Sequence, residues 1–504
     1  MLATIVAPVS STFDAFNQLS WLVTTYAIGS AISQPLSGHL TDIFGRRAGL
    51  ALCYFLFIIG TLFCGLSFYT RSLGLFLSGR IVQGLGGGSL CSITSFIESD
   101  LVPLEKRALI EGIGNVAFGA TLAIGGAYGG GIHDSIGWQW AFFIQVPFIL
   151  VNAIMVIFSV RIPRRRHRGD TAETNKTSKR KSIDYVGCIT ILITMTLFQY
   201  GINSGSSTST STTTTTSKTS WTQPGVLTPL ILSLISLIIC LYWDTYRSSN
   251  PVIPISSLGN RTIASSTISF FFASAATSAI FYYVPIYLQL ILGVSTRNSG
   301  IYFIPYAVAF CIGSSGVGYV VKKLGRYFHV NILVQACLVA GTTCLCTLDG
   351  DRDQTKWKVY VYLVLLGAGF GGAYVTRLMG LLSSAEPEKQ AVVQAASWAV
   401  SSMGSTVGIT GASALFQGLK EETLREAVGG DEKVLQGLVK MMDFAVLGGL
   451  RGEVRDAVVG VYLEKVRGVF YFALAAIVVS AVASLGMRNN DLKKKKGEKS
   501  ALSG

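Results

Sequence analysis

The sequence predicts an all-α polytopic membrane protein with two pseudo-symmetric six-helix bundles and two inserted helices. Half of the 504 residues are apolar and only 13% are charged, whereas soluble domains carry about a quarter charged residues. Apolar segments of roughly 20 residues, the length of a helix that crosses hydrocarbon, recur along the chain. A polar motif with fixed glycine spacing also occurs once in each half. A mainly soluble enzyme and a disordered scaffold are therefore excluded.

A window of about 19 residues locates the membrane spans. Thirteen apolar segments follow in chain order: 20–40, 48–68, 73–95, 110–131, 139–160, 183–203, 225–243, 265–291, 299–320, 328–348, 358–380, 391–416 and 467–487. Residues 1–13 are apolar but too short to cross alone, and they lack the basic start of a signal peptide. We interpret them as the end of a truncated first helix, which makes fourteen spans.

The spans and the segments between them predict the domain organisation. We expect an N-terminal six-helix bundle at 1–160, a basic cytosolic loop at 161–182, two inserted helices with a Ser/Thr-rich lumenal loop at 183–246, a C-terminal six-helix bundle at 262–487 with a lumenal loop of amphipathic helices at 417–465, and a basic cytosolic tail at 488–504.

The distribution of basic residues predicts the topology. The net charge is +14, but the cations form short clusters between apolar runs, which argues against nucleic-acid binding. The clusters fall on alternate connections, including 161–181 and 493–496, so the positive-inside rule places both termini in the cytosol. The nine cysteines form no CxxC pair and lie near no histidine set, which predicts neither a metal site nor a cofactor.

The strongest single feature is an internal repeat. Gly38 and Gly45 frame a polar turn after the second span, and Gly318 and Gly325 frame a similar turn at the corresponding place in the second half. The correspondence holds once residues 183–246 are set aside as an insertion. Parallel six-helix repeats around a central site are the architecture of alternating-access carriers.

The first copy of this turn carries a set of charges that suits a conformational latch. Asp42 lies close to Arg46 and Arg47, and charge-assisted bonds between them would hold helix ends together in one state and release them in another. The alternative is that the arginines are only topology signals and Asp42 only a helix cap. In the second copy Lys322 replaces the acid.

Arg80 is the basic residue that the sequence places deepest in the first half. It follows Leu73 by seven residues, which is about 10 Å into the membrane at 1.5 Å per residue. An unpaired guanidinium there would cost about 2.5 kcal/mol or more. We expect Arg80 to face the bundle interior, with Gln83 nearly one turn later on the same face. The alternative is that it snorkels to the lumenal interface.

Three motifs together carry a family resemblance. They are the turn with Gly38, Asp42, Gly45, Arg46 and Arg47; the run Arg80, Gln83 and Gly84; and the glycines Gly125, Gly126, Gly129 and Gly130. On these motifs the chain resembles the major facilitator superfamily over almost its whole length, and within it the fourteen-span drug:proton antiporters. Segments 112–119, 136–147 and 283–289 are similar to fungal vacuolar basic amino acid transporters and related multidrug transporters.

The resemblance implies roles for these residues. It implies a gating latch in the first motif, proton or substrate coupling at Arg80, Gln83 and Gly84, and an antiporter-type helix at the glycines. Two positions depart from the family pattern. Leu2 stands where the family's first helix usually has an Asp, and the glycine motif lacks the family's proline.

Three functions compete. The first is a proton-coupled antiporter of basic amino acids or amphipathic drugs in the vacuolar or plasma membrane, acting as a monomer on a small molecule and protons within the bilayer. Asn115, Gln145 and Gln289 are candidates to line its cavity, or else form interhelical hydrogen bonds. The second is a non-transporting nutrient sensor or inactive truncated copy, which Leu2 favours. The third, a membrane enzyme, lacks any hydrolase, metalloprotease or P-loop motif.

Overall fold

The computed structural model describes residues 1–13, 18–102, 104–159, 184–206, 223–247, 259–349, 352–386, 390–417 and 452–488. Within these ranges every regular element is an α-helix. The helices in chain order are α1 Leu2–Thr12, α2 Leu19–Phe44, α3 Arg46–Thr70, α4 Leu73–Leu101, α5 Leu104–Ile136, α6 Trp140–Phe143, α7 Gln145–Ser159, α8 Tyr185–Ser206, α9 Pro224–Tyr246, α10 Arg261–Leu290, α11 Thr296–Ile301, α12 Ile304–Leu324, α13 Phe328–Cys346, α14 Arg352–Ser384, α15 Gln390–Gln417 and α16 Gly452–Ser484.

Nine spans in this described part are long and apolar enough to cross a membrane. The exterior of the molecule is apolar, as lipid requires: the Phe148 and Phe158 side chains on α7 are 73% and 70% exposed. Together with the absence of strands from the described ranges, these features confirm the predicted all-α polytopic class. The domain boundaries proposed above stay predictions.

Two of the predicted spans are interrupted, each just before a proline. α6 and α7 together form one span, and α11 and α12 form another. Pro147 and Pro305 lie in the first turns of α7 and α12, where a missing N–H is tolerated. Each proline removes the hydrogen bond to the carbonyl four residues earlier, at Phe143 and Ile301, and these are the last residues of α6 and α11. Segments 139–160 and 299–320 are therefore not single continuous helices.

The last helix also differs from its prediction. α16 begins at Gly452, inside the loop predicted for 417–465 and well before the apolar segment that starts at 467. Residues 452–466 carry acids and bases, so a hydropathy window excludes them although they belong to the same helix as the apolar segment. The amphipathic helices predicted for the rest of that loop fall at 418–451, outside the described residues.

The same packing pattern occurs in both halves. The second helix of each half packs along the fourth, α2 on α4 and α12 on α14, and the third packs on the fourth, α3 on α4 and α13 on α14. Two contacts join the halves: α2 of the first half packs against α15 of the second, and α12 of the second packs against α5 of the first. This reciprocal contact of second and fifth helices is the arrangement that the internal repeat predicts.

The two inserted helices form a hairpin at one edge of this assembly. α8 packs along α9 and also contacts α2 and α15. The Ser236 hydroxyl donates to the Thr190 carbonyl at 2.9 Å, and the Trp243 indole donates to the Asp184 carboxylate at 3.0 Å, so polar bonds join the pair. The Thr406 hydroxyl of α15 donates to the Gln199 amide oxygen of α8 at 3.3 Å. The hairpin thus covers the contact between α2 and α15.

Candidate functional site

Arg80 lies inside the bundle, as the sequence predicted. Its side chain is 8% exposed, and Nη1 donates to Gln83 Oε1 at 2.6 Å. Gln83 Nε2 in turn donates to Thr61 Oγ1 at 3.0 Å. Arg80 and Gln83 are three residues apart on α4 and share a helix face. Because Thr61 lies on α3, these two hydrogen bonds connect α4 to α3. The sequence predicted the shared face, and the structure adds the hydrogen bond between Arg80 and Gln83.

An aromatic ring from α2 completes the Arg80 environment. The guanidinium lies over the Tyr26 ring at 4.7 Å from its centroid, within range of a cation–π interaction. Nε has no hydrogen-bond partner, and no carboxylate in the described chain pairs with Arg80. Tyr282 of α10, in the second half, lies within electrostatic reach of the same charge. Arg80 is thus a buried cation among α2, α3 and α4 of the first half, held by neutral groups.

Close packing of α4 on α2 sets this geometry. A Cβ on Gly84 would collide with the Tyr26 carbonyl oxygen and would lie 3.1 Å from the Ser30 nitrogen. Gly88, four residues later, faces Ser30 in the same way. Small residues at this spacing let helices approach closely in lipid. Gly84 therefore brings the Tyr26 ring to Arg80, which is a packing role within the predicted coupling motif.

The turn after α2 has the backbone that its glycine requires. Gly45 ends α2 at φ 89° and Gly325 ends α12 at φ 72°, both in the region that favours glycine. Arg46 donates to the Thr41 hydroxyl and lies over the Phe96 ring at 5.1 Å, so it ties the end of α2 to α4. Arg47 is exposed.

The side chain of Asp42 falls outside the residues that the structure describes. Gly38 and Asp42 both lie within helix α2, which ends just before the turn. The pairing of Asp42 with Arg46 or Arg47 therefore stays a prediction, whereas the attachment of Arg46 to α4 through Phe96 is a feature that sequence reasoning missed.

The glycine motif of α5 lies at the contact between the two halves. A Cβ on Gly126 would be 3.1 Å from the Gly300 Cα of α11, and one on Gly300 would collide with the Gly126 carbonyl carbon. Gly129 contacts α1, where a Cβ would be 2.9 Å from the Thr4 hydroxyl. Gly125 is partly buried and Gly130 is buried. The motif thus lets α5 touch α1 on one side and α11 on another.

The three polar residues predicted to line a cavity have different surroundings. Gln289 donates to the Ser299 hydroxyl at 3.0 Å and is therefore a bond between α10 and α11. Gln145 donates to the Ala141 carbonyl at 2.7 Å and contacts the Met1 sulfur. Asn115 is buried on α5, which packs on α12, and its Nδ2 has no partner. Of the three, Asn115 is the one with a buried polar atom that has no partner.

The structure shows a second buried arginine, Arg377, whose contacts could not be predicted from the sequence. Arg377 of α14 is 1% exposed and lies against α10. Its position in an apolar segment indicated burial, but its contacts on α10, Ser269 and Phe270, are distant in sequence. The same is true of Tyr26 and Thr61, which contact Arg80 and Gln83 from other helices and follow no motif.

These features define a class of protein: a helical membrane carrier whose two repeated halves enclose buried, uncompensated polar groups. A family comparison agrees with this class, because residues 1–409 match the model of the Major Facilitator Superfamily. The chain belongs to the Major Facilitator Superfamily, and it is accordingly a multi-pass membrane transporter and not an enzyme.

Several fungal proteins are similar over most of their length. The chain is 29% identical over 493 residues to the vacuolar membrane amino acid uptake transporter fnx2 of Schizosaccharomyces pombe, covering 98% of this chain and 82% of that protein. It is 26% identical to the vacuolar basic amino acid transporter 2 of Saccharomyces cerevisiae, covering 89% and 93%. It is 29% identical to the multidrug resistance protein fnx1 of S. pombe, covering 81% and 74%.

Solved structures show the same fold. A bacterial homolog of the human lysosomal transporter Spinster aligns with a TM-score of 0.54 at 16% identity, covering 96% of this chain and 93% of that one. The human organic anion transporter MFSD10 aligns with a TM-score of 0.53 at 12% identity, covering 91% and 83%. At these identities the likeness concerns the fold alone.

Proposed function

We propose that this protein is a proton-coupled antiporter that moves basic amino acids or amphipathic organic cations across the vacuolar membrane by alternating access. The observation that carries the proposal is the buried Arg80 cluster of the first half, in which a guanidinium is held by Gln83 and Tyr26 and pairs with no carboxylate of the described residues. A charge kept in such a place needs a function, because its desolvation is costly.

Arg80 supplies the electrostatics for coupling. A fixed positive charge favours release of a proton from a nearby group and attracts an anionic group of a substrate. Because Tyr282 of the second half lies within electrostatic reach of this charge, relative movement of the halves would change the environment of Arg80. Movement of this kind would link the protonation state to the direction in which the site opens.

The substrate class and the membrane rest on the relatives. Two of the similar fungal proteins are named for vacuolar amino acid transport and one for multidrug resistance. Basic amino acids and amphipathic cations share a positive group on a small organic body, which accounts for one fold serving both. The vacuolar membrane is favoured over the plasma membrane on the same names.

Gradient-driven uptake into vesicles tests the proposal. Purified protein in liposomes is given an inside-acidic pH gradient, and uptake of labelled arginine is followed with and without an uncoupler. We expect accumulation that the uncoupler abolishes. Accumulation that ignores the uncoupler would exclude proton coupling, and the absence of flux for arginine, lysine and amphipathic cations alike would exclude the carrier function.

One observation favours a nutrient sensor as the second candidate. Leu2, at the position where the family usually has an acid, is 7% exposed and belongs to an apolar cluster with Ile5 and Val6. That part of α1 therefore offers no proton-binding group. A sensor would bind arginine in a thermal unfolding assay and yet show no flux in the vesicles, whereas a carrier would show both.

A further inference from the structure

Arg377 is the largest fully buried side chain in the described part of the molecule. It lies on α14, the fourth helix of the second half, as Arg80 lies on the fourth helix of the first. Its side chain is 1% exposed. Neither the latch, nor the Arg80 cluster, nor the glycine contact between the halves uses it, so its charge is unexplained by the function proposed above.

The guanidinium is only partly satisfied. Nε donates to the Ala373 carbonyl of its own helix at 3.0 Å, and Nη1 donates to the Ser269 carbonyl of α10 at 3.5 Å. Nη2 is buried and has no partner. No carboxylate in the described chain pairs with Arg377. Because a guanidinium has five donors and no acceptor, the unused nitrogen needs an acceptor from elsewhere.

A second unused donor lies on the same pair of helices. The Ser266 hydroxyl of α10 is buried and has no partner, and a Cβ on Gly380 of α14 would lie 3.1 Å from it. Ser266 precedes Ser269 by three residues on α10, and Gly380 follows Arg377 by three on α14, so the residues that carry the two donors lie within about one turn of each other along the contact between α10 and α14. Both therefore belong to one polar locus.

The walls of this locus are apolar and aromatic. The guanidinium lies 5.2 Å from the Phe270 ring centroid and 5.9 Å from that of Phe370. The neighbouring hydroxyls of Ser269 and Ser480 bond to each other at 2.9 Å and are already used. The locus thus offers a planar cation and a hydroxyl, between aromatic faces that can contact carbon atoms.

A carboxylate is the group that fits these donors. One of its oxygens would accept from Nη2 of Arg377 and the other from a hydroxyl, and the low-polarity surroundings would strengthen such bonds. We propose that Arg377 and Ser266 form a binding site for the carboxylate of an amino-acid substrate, separate from the Arg80 cluster. This inference rests on the proposed transport of amino acids and adds the group by which an amino acid is distinguished from a plain organic cation.

Arg80 and Arg377 lie near different points along α10. Ser269 of α10 contacts Arg377, and Tyr282 of α10 lies within electrostatic reach of Arg80. The thirteen residues between these contacts correspond to about 20 Å of helix. Since Arg377 is covered in this conformation, the substrate reaches Nη2 only when α14 and α10 separate. The binding site at Arg377 would then become accessible in one conformation of the carrier and be covered in another.

The test compares a substrate with and without its carboxylate. Binding of arginine and of agmatine, which is arginine lacking the carboxyl group, is measured by thermal unfolding of the purified full chain in detergent. Arg377→Gln removes the guanidinium, Arg377→Lys keeps the charge without the planar guanidinium, and Ser266→Ala removes the second donor. Arg488→Gln is the matched control, because that side chain is exposed at the end of the last helix.

We expect the unmodified protein to bind arginine more tightly than agmatine, and Arg377→Gln to lose about tenfold or more in arginine affinity with agmatine binding unchanged. Arg377→Lys and Ser266→Ala should lose less in the same direction, and the control should lose nothing. If Arg377→Gln does not fold, the other two variants decide the question. Equal affinities for both ligands in the unmodified protein, or equal losses in the variants, would overturn the site.

This assay is independent of coupling. A protein that binds arginine in preference to agmatine, yet shows no gradient-driven uptake, would refute the proposed antiport and leave the carboxylate site standing. A protein that transports arginine and agmatine equally well, with Arg377→Gln unchanged, would refute the site and leave the antiport standing.

Discussion

Two arginines in this transporter are buried without a carboxylate in the described chain, and each is held by neutral acceptors and aromatic rings. Arg80 uses an amide oxygen and Tyr26, whereas Arg377 uses two backbone carbonyls and two phenylalanines. Such a setting depends on the planar guanidinium, which spreads its charge and stacks on rings. Lysine at either position would keep the charge but lose this fit.

The first prediction at this scale concerns Arg80. Arg80→Lys should insert normally but transport about tenfold more slowly, because the lysine cannot both donate to Gln83 and lie flat on Tyr26. Arg80→Ala should be slower still. Uptake of arginine into vesicles under a pH gradient is the measurement, with Arg71→Lys as control because Arg71 is exposed in the turn before α4. Parental rates with the usual uncoupler sensitivity in both variants would make Arg80 a packing residue.

A second prediction concerns the latch. Asp42→Asn keeps the shape of the side chain and removes its charge, so it should strongly slow transport while the amount of protein in the membrane is unchanged. Flux normalised to protein amount measures this. Asp134→Asn serves as the control, since Asp134 is exposed near the end of α5. Normal turnover in Asp42→Asn would reduce the turn to a topology signal.

At the scale of helices, glycines set the distances between the elements. Gly84 lets α4 lie on α2, and Gly126 with Gly300 lets α5 lie on α11. The second contact joins the two halves, so it has to break and form again if the halves move. Backbone against backbone contact without side chains gives a surface that can separate without repacking. The glycine motif therefore affects movement as well as stability.

Gly300→Ala tests this role. The added Cβ would collide with the Gly126 carbonyl carbon, so the contact between α11 and α5 should loosen at a cost of about 1–3 kcal/mol. We expect a lower unfolding temperature and slower uptake. Gly131→Ala is a matched control on α5, because a Cβ there meets nothing within 4 Å. Unchanged uptake and unfolding in Gly300→Ala, as in the control, would show that the contact is not needed.

At the scale of the whole molecule, the fifth helix of each half packs on the second helix of the other, α5 on α12 and α15 on α2. Of the inserted pair α8 and α9, helix α8 packs beside the contact between α2 and α15. The insertion therefore makes the assembly unequal. The α5 side carries the Gly126 and Gly300 contact.

The topology of the whole chain is tested by labelling. We expect single cysteines placed at Thr177 and at Ser209 to react from opposite sides of the membrane, with Thr177 on the cytosolic side, because basic residues cluster around 161–181 and are nearly absent from 204–220. A membrane-impermeant thiol reagent applied to sealed vesicles is the probe. Reaction of both positions from one side would contradict the topology. In the expected topology the sequon at Asn175 is cytosolic and should therefore remain unglycosylated.

The sequence by itself determined the class of fold, the repeat and the residues of the three motifs, and nine of its predicted spans are long and apolar enough to cross a membrane in the described part. Hydropathy and glycine spacing are local properties, so they can be read without knowing which helices touch. It also indicated that Arg80 is buried and shares a face with Gln83, because both lie on one helix at a fixed period. Helix breaks and ends were less accessible, as the early start of α16 and the interruptions before Pro147 and Pro305 illustrate.

Only the tertiary structure decided which groups meet. Tyr26 reaches Arg80 from α2, Ser269 reaches Arg377 from α10, and Gly300 faces Gly126 across the two halves. These partners are separated by 54, 108 and 174 positions, and no periodic pattern relates residues on different helices. Their meeting depends on the angle and depth at which helices pack, and that is set by contacts distributed over each whole interface.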